Sequence, residues 1–283
     1  MFKKTGKLLS LFLLLLISFI YTDKVFKEAR LNDPIMKEVM SYKKDNDINP
    51  VEPIIKDDEM ILGFSGIIID EKKSYKKMKE NDKFDKENIV YENKLPNTTI
   101  SKTYEYYIRQ GNPSKKSVAI IFKVKDSNNI DSILSLLNKN EIKANFFVDG
   151  AWLEKNVSDA FNINEYNNEL YNLGYNGIYD KTMINVTNNL IESITLKDSL
   201  FCLNENKNNE QKEICKKKKM HTIYPSIINP SLTELKEKLV KGAIISYDLE
   251  EFDYSTVKLI KNIIISRGYE IEVLSKVVSE ESD

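Results

Sequence analysis

The sequence predicts an α/β fold. From Ser117 onward, apolar stretches of strand length alternate with stretches of helical periodicity, a pattern typical of α/β domains. The clearest unit is 118–150, where an apolar strand, an amphipathic helix and a second apolar strand follow one another without a long loop. Such a unit requires parallel strands and a right-handed crossover. Functional groups in these folds usually lie just beyond the carboxyl ends of the strands, which here are residues 123–126 and 149–150.

The N-terminus is typical of a targeting segment. Lys3, Lys4 and Lys7 precede the uncharged stretch 8–22, and positive charges before an apolar stretch favour an N-terminus in the cytoplasm. We expect residues 1–24 to be an uncleaved signal anchor, a single-pass membrane helix. The alternative is a cleaved signal peptide, although no small-x-small cleavage site follows. Both interpretations place the remaining chain outside the cytoplasm, either bound to the cell membrane or secreted.

Residues 25–53 are expected to be a linker or stalk, because the stretch becomes polar and contains three prolines. Residues 54–112 are expected to form a small α+β region that includes a hairpin within 60–70. The turn at 110–113 is the predicted boundary, and residues 113–283 are the predicted main domain.

Within the main domain, strands and helices are predicted in alternation. The predicted strands are 118–122, 144–148, 175–179, 198–203, 222–228, 243–247 and 270–274. The predicted helices are 130–142, 152–156, 165–173, 187–194, 210–220, 231–240 and 256–267. Gly174 and Gly268 follow two of these helices, in the position that glycine favours after a helix.

The chain contains two cysteines, Cys202 and Cys215. Outside the cytoplasm a cysteine pair can oxidise, so we expect a disulfide, which would stabilise the fold by about 3 kcal/mol. The alternative is two buried free thiols. With a single histidine, His221, these cysteines do not make a zinc site. We expect His221 to be a surface or half-buried residue. The net charge of −1, with both signs interspersed, argues against a nucleic-acid partner.

Four blocks of the main domain resemble the polysaccharide deacetylase (NodB-homology) family. V-A-I-I-F at 118–122 is similar to the family's V-A-L-T-F strand, and K-A-N-F-F-V-D-G at 143–150 to its K-A-T-F-F-V-x-G. L-G-Y-N-G-I-Y-D at 173–180 resembles L-G-H-E-I-G-N-H. G-A-I-I-S-Y-D at 242–248, with the helix and strand after it, resembles the family's last block. This resemblance implies a distorted (β/α)-barrel.

The resemblance also implies a chemistry, metal-assisted amide hydrolysis. In the family, a divalent ion such as zinc polarises the acetyl carbonyl and activates water. An aspartate acts as the general base and a late histidine as the general acid. One aspartate and two histidines hold the metal.

The family's catalytic and metal-binding positions are all changed in this chain. The base falls on Lys123 and the metal aspartate on Val124; the two metal histidines fall on Asp180 and Ile184, and the acid histidine falls on Tyr247. Val124 and Ile184 carry no donor atom, and a lysine repels a metal cation. We therefore predict no catalytic residues and no metal cofactor.

A ligand cleft is still expected at these strand ends. Asp126, Asp149, Asp180 and Tyr247 are the candidate residues. Relocated carboxylates among Asp126, Asp149 and Asp180 are the basis of one alternative, a divergent metal-dependent deacetylase. The competing interpretation of these carboxylates is helix caps or solvent-facing groups.

Aromatic side chains near the cleft allow two interpretations. Tyr175, Tyr179, Tyr247 and Trp152 would stack on sugar rings if they are exposed. If they are buried, they are core residues.

The sequence therefore predicts a membrane-anchored, extracytoplasmic protein that is deacetylase-like but catalytically inactive. Its expected partner is cell-wall glycan or an envelope protein. Besides the divergent deacetylase, the second alternative is a structural envelope-assembly module that uses residues 54–112.

Overall fold

The structure is a computed structural model that describes residues 2–127 and 130–281, with side chains described for all of these except 2–11 and 23. The helices are α1 (Phe2–Asn32), α2 (Pro34–Asn46), α3 (Glu71–Lys79), α4 (Ile130–Lys139), α5 (Gly150–Lys155), α6 (Val157–Glu165), α7 (Lys181–Thr195), α8 (Asn209–Lys217), α9 (Leu232–Lys238), α10 (Val257–Ser266) and α11 (Leu274–Val277). The strands are β1 (Ile54–Lys56), β2 (Glu59–Ile61), β3 (Gly66–Ile69), β4 (Tyr91–Lys94), β5 (Tyr107–Gln110), β6 (Ser117–Val124), β7 (Asn145–Val148), β8 (Glu169–Asn172), β9 (Phe201–Leu203), β10 (His221–Ile223), β11 (Ile227–Ile228), β12 (Ile244–Asp248) and β13 (Glu270–Ile271).

The chain divides into two compact units. The first comprises Met1–Asn49 and Gly66–Lys94, and the second comprises Pro50–Ser65 and Leu95–Asp283. The residues expected to form a separate region at 54–112 are therefore shared between the two units.

The first unit is held by a small apolar core. Ile35 and Val39 of α2 pack with Ile69 of β3 and Met78 of α3. Asp33 begins α2 by accepting a hydrogen bond from the Ile35 N–H, since a carboxylate satisfies an otherwise unpaired helical donor. Residues 25–46, expected to belong to a stalk, are thus helical except for Asp33, with buried side chains in α2.

The N-terminal apolar stretch lies within α1, and side chains 12–22 are exposed. In the described part of the chain, none of the helices combines the length and the apolar content that crossing a membrane requires. Among the described residues, the expected membrane helix is therefore not seen.

The second unit is built on a mixed, mostly parallel sheet. Among the described residues, eleven strands join in the order β1-β2-β5-β10-β9-β8-β7-β6-β12-β11, and β13 pairs with the start of β6. All neighbours are parallel except β1 and β2, which form an antiparallel hairpin. The predicted βαβ unit is confirmed as β6, α4 and β7.

The sheet is curled into a half-barrel. Gln110 of β5 forms a bridge with Ala243, which immediately precedes β12, six strands further along the order. In a flat sheet with about 4.8 Å between strands, these residues would be roughly 30 Å apart. The predicted (β/α)-barrel type of architecture is confirmed in this coarser form.

Alternating side chains of the strands form two cores. On the outer face, Phe122, Phe146 and Ile245 pack against helices such as α4 and α10. On the inner face, Ile121 and Phe147 pack with residues of β9, β10 and α11. Both faces are apolar, as expected for a parallel sheet that is covered on both sides.

The amino ends of the strands are closed by α11. The Leu274 N–H donates to Asn145 Oδ1 over 2.7 Å, and Ser275 donates to Glu169. Asn145 and Glu169 are the first residues of β7 and β8. The inner face of the sheet is therefore approached from the carboxyl ends of the strands.

Several predicted elements differ in the structure. Residues 175–179, predicted as a strand, form a tight turn in which Tyr175 pairs with Ile178. Within 165–173, predicted as a helix, Glu169–Asn172 form the parallel strand β8, because Leu170 and Tyr171 fill the outer and inner cores in turn. The hairpin predicted within 60–70 is absent from the described residues. Instead β2 pairs with β1, and β3 pairs with β4.

Candidate functional site at the carboxyl ends of the strands

The direction of each side chain at the end of β6 follows from the pleat of the strand. Ala119 and Ile121 belong to the inner core, whereas Phe122 and Val124 belong to the outer one. Successive side chains alternate between faces, so Lys123 faces the inside of the half-barrel. The two family positions at this strand end therefore lie on opposite sides of the sheet.

Lys123 is the centre of a buried ion-pair cluster. Its Nζ lies 2.5 Å from Glu205 Oε2 and 2.9 Å from Asp248 Oδ2, and its side chain is 6% exposed. Ser246 Oγ donates to Glu205 Oε1 over 2.5 Å. A buried cation is tolerated when opposite charges and hydrogen bonds surround it, and both are present here. Lys123, Glu205, Ser246 and Asp248 are called the Lys123 cluster below.

Asp248 is held in its charged form. Burial raises the pKa of its carboxyl, but hydrogen bonds from Asn229 and Lys123 and the charges of Lys123 and Lys125 outweigh that effect. The pKa of Asp248 therefore lies below its usual value. Asn229 Nδ2 donates to Asp248 Oδ2 over 2.7 Å, and the Asp248 N–H donates back to Asn229 Oδ1.

Asp126 and Asp149 line one open cavity of about 630 Å³. Asp149 is 5% exposed and begins α5, and its carboxylate accepts hydrogen bonds from the N–H groups of Ala151, Asn176 and Gly177. Its oxygens are thus used to fix the 174–178 loop beside the cavity. The Asp126 N–H donates to Glu250 Oε1 over 2.9 Å. We call this space the β6–β7 cavity.

Asp180 immediately precedes α7, and Ile184 lies on this helix. Asp180 begins the helix, where its carboxylate accepts hydrogen bonds of 2.8 Å from the N–H groups of Thr182 and Met183. Ile184 is fully buried with Cys202, Cys215 and Met220. The structure therefore places one of these family positions in a helix cap and the other in a core.

The aromatic candidates are buried or half-buried rather than exposed to solvent. Trp152 is 3% exposed and donates from Nε1 to the Ser127 carbonyl over 2.8 Å. Burial raises the pKa of the Tyr179 hydroxyl, and the negative charges of Asp149 and Glu205 raise it further. Tyr175 is half-buried, and its hydroxyl donates to Glu154 over 2.8 Å.

Tyr247 faces away from the Lys123 cluster. It is 6% exposed, and its ring stacks with Phe122 and lies against Phe252 in the outer core. Its neighbour Asp248, and not Tyr247, is the β12 residue that meets Lys123. The acid role that the resemblance assigned to Tyr247 therefore falls on a side chain of the outer face.

The family positions do not fit a divalent metal ion. Val124 and Ile184 offer no ligand atom, Asp180 caps its own helix, and the Lys123 ammonium places a positive charge where the family has an acid. In the described part of the chain, the side chains of His, Cys, Asp and Glu form no group of three or more that could hold a metal ion.

Cys202 and Cys215 form a disulfide that joins β9 to α8, as predicted. His221 lies elsewhere, at the amino end of β10, where it is half-buried and stacks on Tyr104 with 4.3 Å between ring centroids. Burial lowers the pKa of His221 to about 4, although a hydrogen bond with the Thr103 backbone opposes this shift. The position of His221 agrees with the sequence-based prediction.

Sequence reasoning missed Glu205, Ser246 and Asp248. Glu205 reads as part of a polar loop. The sequence does indicate that Ser246 and Asp248 share one face of the sheet, because they are polar residues at alternate positions of an otherwise apolar strand. Period-two alternation puts both on the face of Ile244, which is the inner face.

Comparison with known proteins supports a fold of the polysaccharide deacetylase type. Residues 110–220 match the family model described as "Polysaccharide deacetylase". "Uncharacterized protein YlxY" of Bacillus subtilis (strain 168) is 32% identical over 146 residues. The match covers 51% of this chain and 46% of that protein, so the chain spans about half the length of the curated relative it matches.

Solved structures share the fold. Wild-type BA3943, described as a CE4 family pseudoenzyme from Bacillus anthracis, has a TM-score of 0.69 and 22% identity, covering 88% of this chain and 96% of that one. A BA3943 mutant described as having restored enzymatic activity has the same TM-score and identity, covering 88% and 99%. Residues 110–220 are therefore similar to the polysaccharide deacetylase (NodB-homology) family, and the chain resembles a degenerate member in which the residues at the family's catalytic and metal-binding positions are changed.

Proposed function

We propose that this protein is a catalytically inactive deacetylase-like protein that binds cell-envelope glycan outside the cytoplasm. The observation that carries the proposal is the Lys123 cluster. A buried ammonium, paired with Glu205 and Asp248, occupies the position of the family's general base.

A lysine in this state cannot do the work of the base. A general base must accept a proton from water, and an ammonium held by two carboxylates has no free lone pair. Its charge also opposes a second cation at the same place. The description of BA3943 as a pseudoenzyme supports the proposal by showing that this fold also occurs in proteins so described.

The extracytoplasmic location rests on two features. The basic and apolar N-terminal stretch is typical of export signals. The Cys202–Cys215 disulfide is of the kind that persists in oxidising compartments.

Glycan binding rests on two cavities that flank the Lys123 cluster at the carboxyl ends of the strands. The β6–β7 cavity is lined mainly by polar side chains, among them Lys125, Asp126 and Asn156. A smaller one of about 270 Å³ adjoins Asp248 and includes Asn229 and Ser231. Such polar groups are suited to the hydroxyl and amide groups of a sugar.

The test combines an activity assay with a binding assay on the full chain. Acetate release from the tetramer of N-acetylglucosamine is measured with and without added zinc. Calorimetry measures binding of the same oligosaccharide, with cellotetraose as the control that lacks acetamido groups. We expect binding of the N-acetylglucosamine tetramer without acetate release. Zinc-dependent acetate release would overturn the inactive assignment, and absence of glycan binding would overturn the binding assignment.

A further inference from the structure

The first compact unit carries a positive charge that the second lacks. The first unit contains 17 lysine and arginine residues and 13 aspartate and glutamate residues, a formal net charge of +4. The second contains 25 and 30 of them, a net charge of −5. The small net charge of the whole chain therefore conceals a basic unit. Such an asymmetry of charge within one chain is typical of contact with an anionic partner.

One face of α3 is made of lysines. Met78, which is fully buried, holds the opposite face of this helix against the core of the unit. The lysines occur in two pairs with a spacing of four residues, and this spacing places side chains one above the other on a helix. All four are exposed: Lys72, Lys76, Lys73 and Lys77. We call them the α3 lysine face.

Most of this charge is not neutralised within the protein. Three of the four lysines form no ion pair among the described residues, and the fourth, Lys73, pairs with Asp70 over 2.8 Å. Glu80, which follows Lys76 by four residues, adds one exposed carboxylate to this side of the helix. The α3 lysine face therefore keeps a net positive charge.

The helix α3 is tied to the end of α1. Asp33, the residue that follows α1, accepts a hydrogen bond from the Tyr75 hydroxyl and pairs with Lys79, each over 3.0 Å. Lys24 and Lys27 of α1 are exposed and lie between its apolar stretch and Asp33. Exposed cations therefore continue from the apolar stretch of α1 to the α3 lysine face.

The apolar stretch of α1 has the opposite character. Phe19 is 75% exposed, Ile20 64% and Tyr21 69%. A continuous apolar surface of this kind marks a contact with a membrane or a protein. Basic residues beside an apolar stretch are typical of segments at an anionic membrane surface. A phospholipid layer offers an apolar phase and phosphate groups side by side, so it complements both features, and contact with its surface does not require a helix that crosses it.

We infer that the first unit docks on a membrane surface, where the α3 lysine face binds the phosphate groups of anionic phospholipids. Lysine suits this contact, because its ammonium is carried on a flexible stem that can follow mobile headgroups. The apolar side chains of α1 contact the same lipid layer. This inference is independent of glycan binding, since the Lys123 cluster and the two cavities beside it belong to the second unit.

Sedimentation of the full chain with vesicles provides the test. Vesicles of phosphatidylcholine alone are compared with vesicles of phosphatidylcholine and phosphatidylglycerol in equal parts, so that α1 meets a similar apolar layer in both and the headgroup charge differs. We expect at least about tenfold tighter binding to the anionic vesicles, since each lysine near an anionic surface contributes roughly fivefold. The preference should disappear in about 1 M salt, where charges are screened beyond about 3 Å. Equal binding to both vesicles at low salt, or a preference that survives high salt, would overturn the inference.

Two triple variants locate the contact. The first removes three charges of the α3 lysine face: Lys72→Gln, Lys76→Gln and Lys77→Gln. The second removes three exposed charges of the second unit: Lys217→Gln, Lys219→Gln and Lys236→Gln. The first variant should lose most of the preference for anionic vesicles, and the second should keep it. Both should melt at the wild-type temperature, because the substituted side chains are exposed. An equal loss in the two variants would show that total charge is responsible and would refute the assignment to α3.

Soluble polyphosphate separates a lipid surface from another carrier of phosphate groups. It is added in increasing amounts to the full chain in the presence and absence of anionic vesicles. We expect the vesicles to retain the protein, because α1 and the α3 lysine face contact them together. Binding of polyphosphate by a protein that shows no preference for anionic vesicles would replace the membrane with a soluble polyanion.

Discussion

Lys123 and Glu205 form an ion pair although their strands are not neighbours. Lys123 lies on β6 and Glu205 follows β9, with β7 and β8 between them in the sheet. In a flat sheet the two positions would be about 14 Å apart, yet Nζ and Oε2 are 2.5 Å apart. The curl of the sheet therefore brings together a pair that no local pattern connects, and Lys123 stands where the resemblance places the family's general base.

The Lys123→Met substitution should be strongly destabilising. It leaves Glu205 and Asp248 close to one another and half-buried without their cation, and removal of one partner of a buried pair costs about 3–5 kcal/mol. Urea unfolding followed by circular dichroism measures the loss. Lys125→Met is the matched control, because Lys125 is 57% exposed and 3.7 Å from Asp248, and its loss should cost less than about 1 kcal/mol. Similar effects for both substitutions would contradict a structural role of the Lys123 cluster.

A second substitution should partly rescue the first. Glu205→Gln in the Lys123→Met background removes one of the two unpaired charges, so the double variant should be more stable than Lys123→Met alone. Residues in one network couple by about 0.5–3 kcal/mol. Strict additivity in the double-mutant cycle would show that the two side chains do not act together.

Val124→Asp should not recreate a metal ligand and should destabilise the fold. Val124 is fully buried among apolar side chains of the outer core, so a carboxylate there would be desolvated without a partner. We expect a loss of more than about 3 kcal/mol in thermal or urea unfolding. Lys125→Asp places the same carboxylate one residue further on, at an exposed position, and should have a small effect. An equally stable Val124→Asp protein would mean that the strand end can rotate residue 124 inward.

The disulfide should contribute measurably to stability. Cys202 and Cys215 are 13 residues apart, and closing a loop of this size stabilises a protein by about 3 kcal/mol. Dithiothreitol is expected to lower the urea midpoint of the wild type and to leave that of the Cys202→Ala, Cys215→Ala double variant unchanged. A wild type that is insensitive to reductant, with reduction verified by mass spectrometry, would contradict this prediction.

His221 should make the protein less stable in mild acid. Burial lowers its folded-state pKa to about 4 from an unfolded value of 6.5, so the unfolded chain binds the proton more readily. The stability associated with neutral His221 is complete above pH 6.5 and is lost as the pH falls toward 4. By pH 5 the loss should be roughly 2 kcal/mol.

The control for this titration is His221→Phe, which keeps a ring against Tyr104 and cannot be protonated. Its unfolding free energy, measured by urea denaturation from pH 7.5 to pH 5, should fall by less than that of the wild type. Parallel curves for the two proteins would show that His221 is not the group responsible.

The local sequence pattern was sufficient to predict helices and strands where apolar residues recur at regular spacing. The β6–α4–β7 unit and the strand β12 were both predictable from periodicity. The stretch 165–173 shows where pattern fails. Its composition also suits a helix, but Glu169–Asn172 within it become β8, because the positions of β7 and β9 leave room for a parallel strand between them.

The sequence by itself determined the resemblance to the polysaccharide deacetylase family, the α/β class and the cysteine pair, and it predicted that Lys123, Val124 and Ile184 stand at the family's catalytic and metal-binding positions, because these depend on residue type and order. Only the tertiary structure decided what surrounds those positions. Lys123 meets Glu205 across the curled sheet, Asp248 rather than Tyr247 faces that cluster, and Tyr247 lines a separate acidic cavity. These relationships depend on sheet curvature and strand pleat, which bring together residues that are distant in the chain.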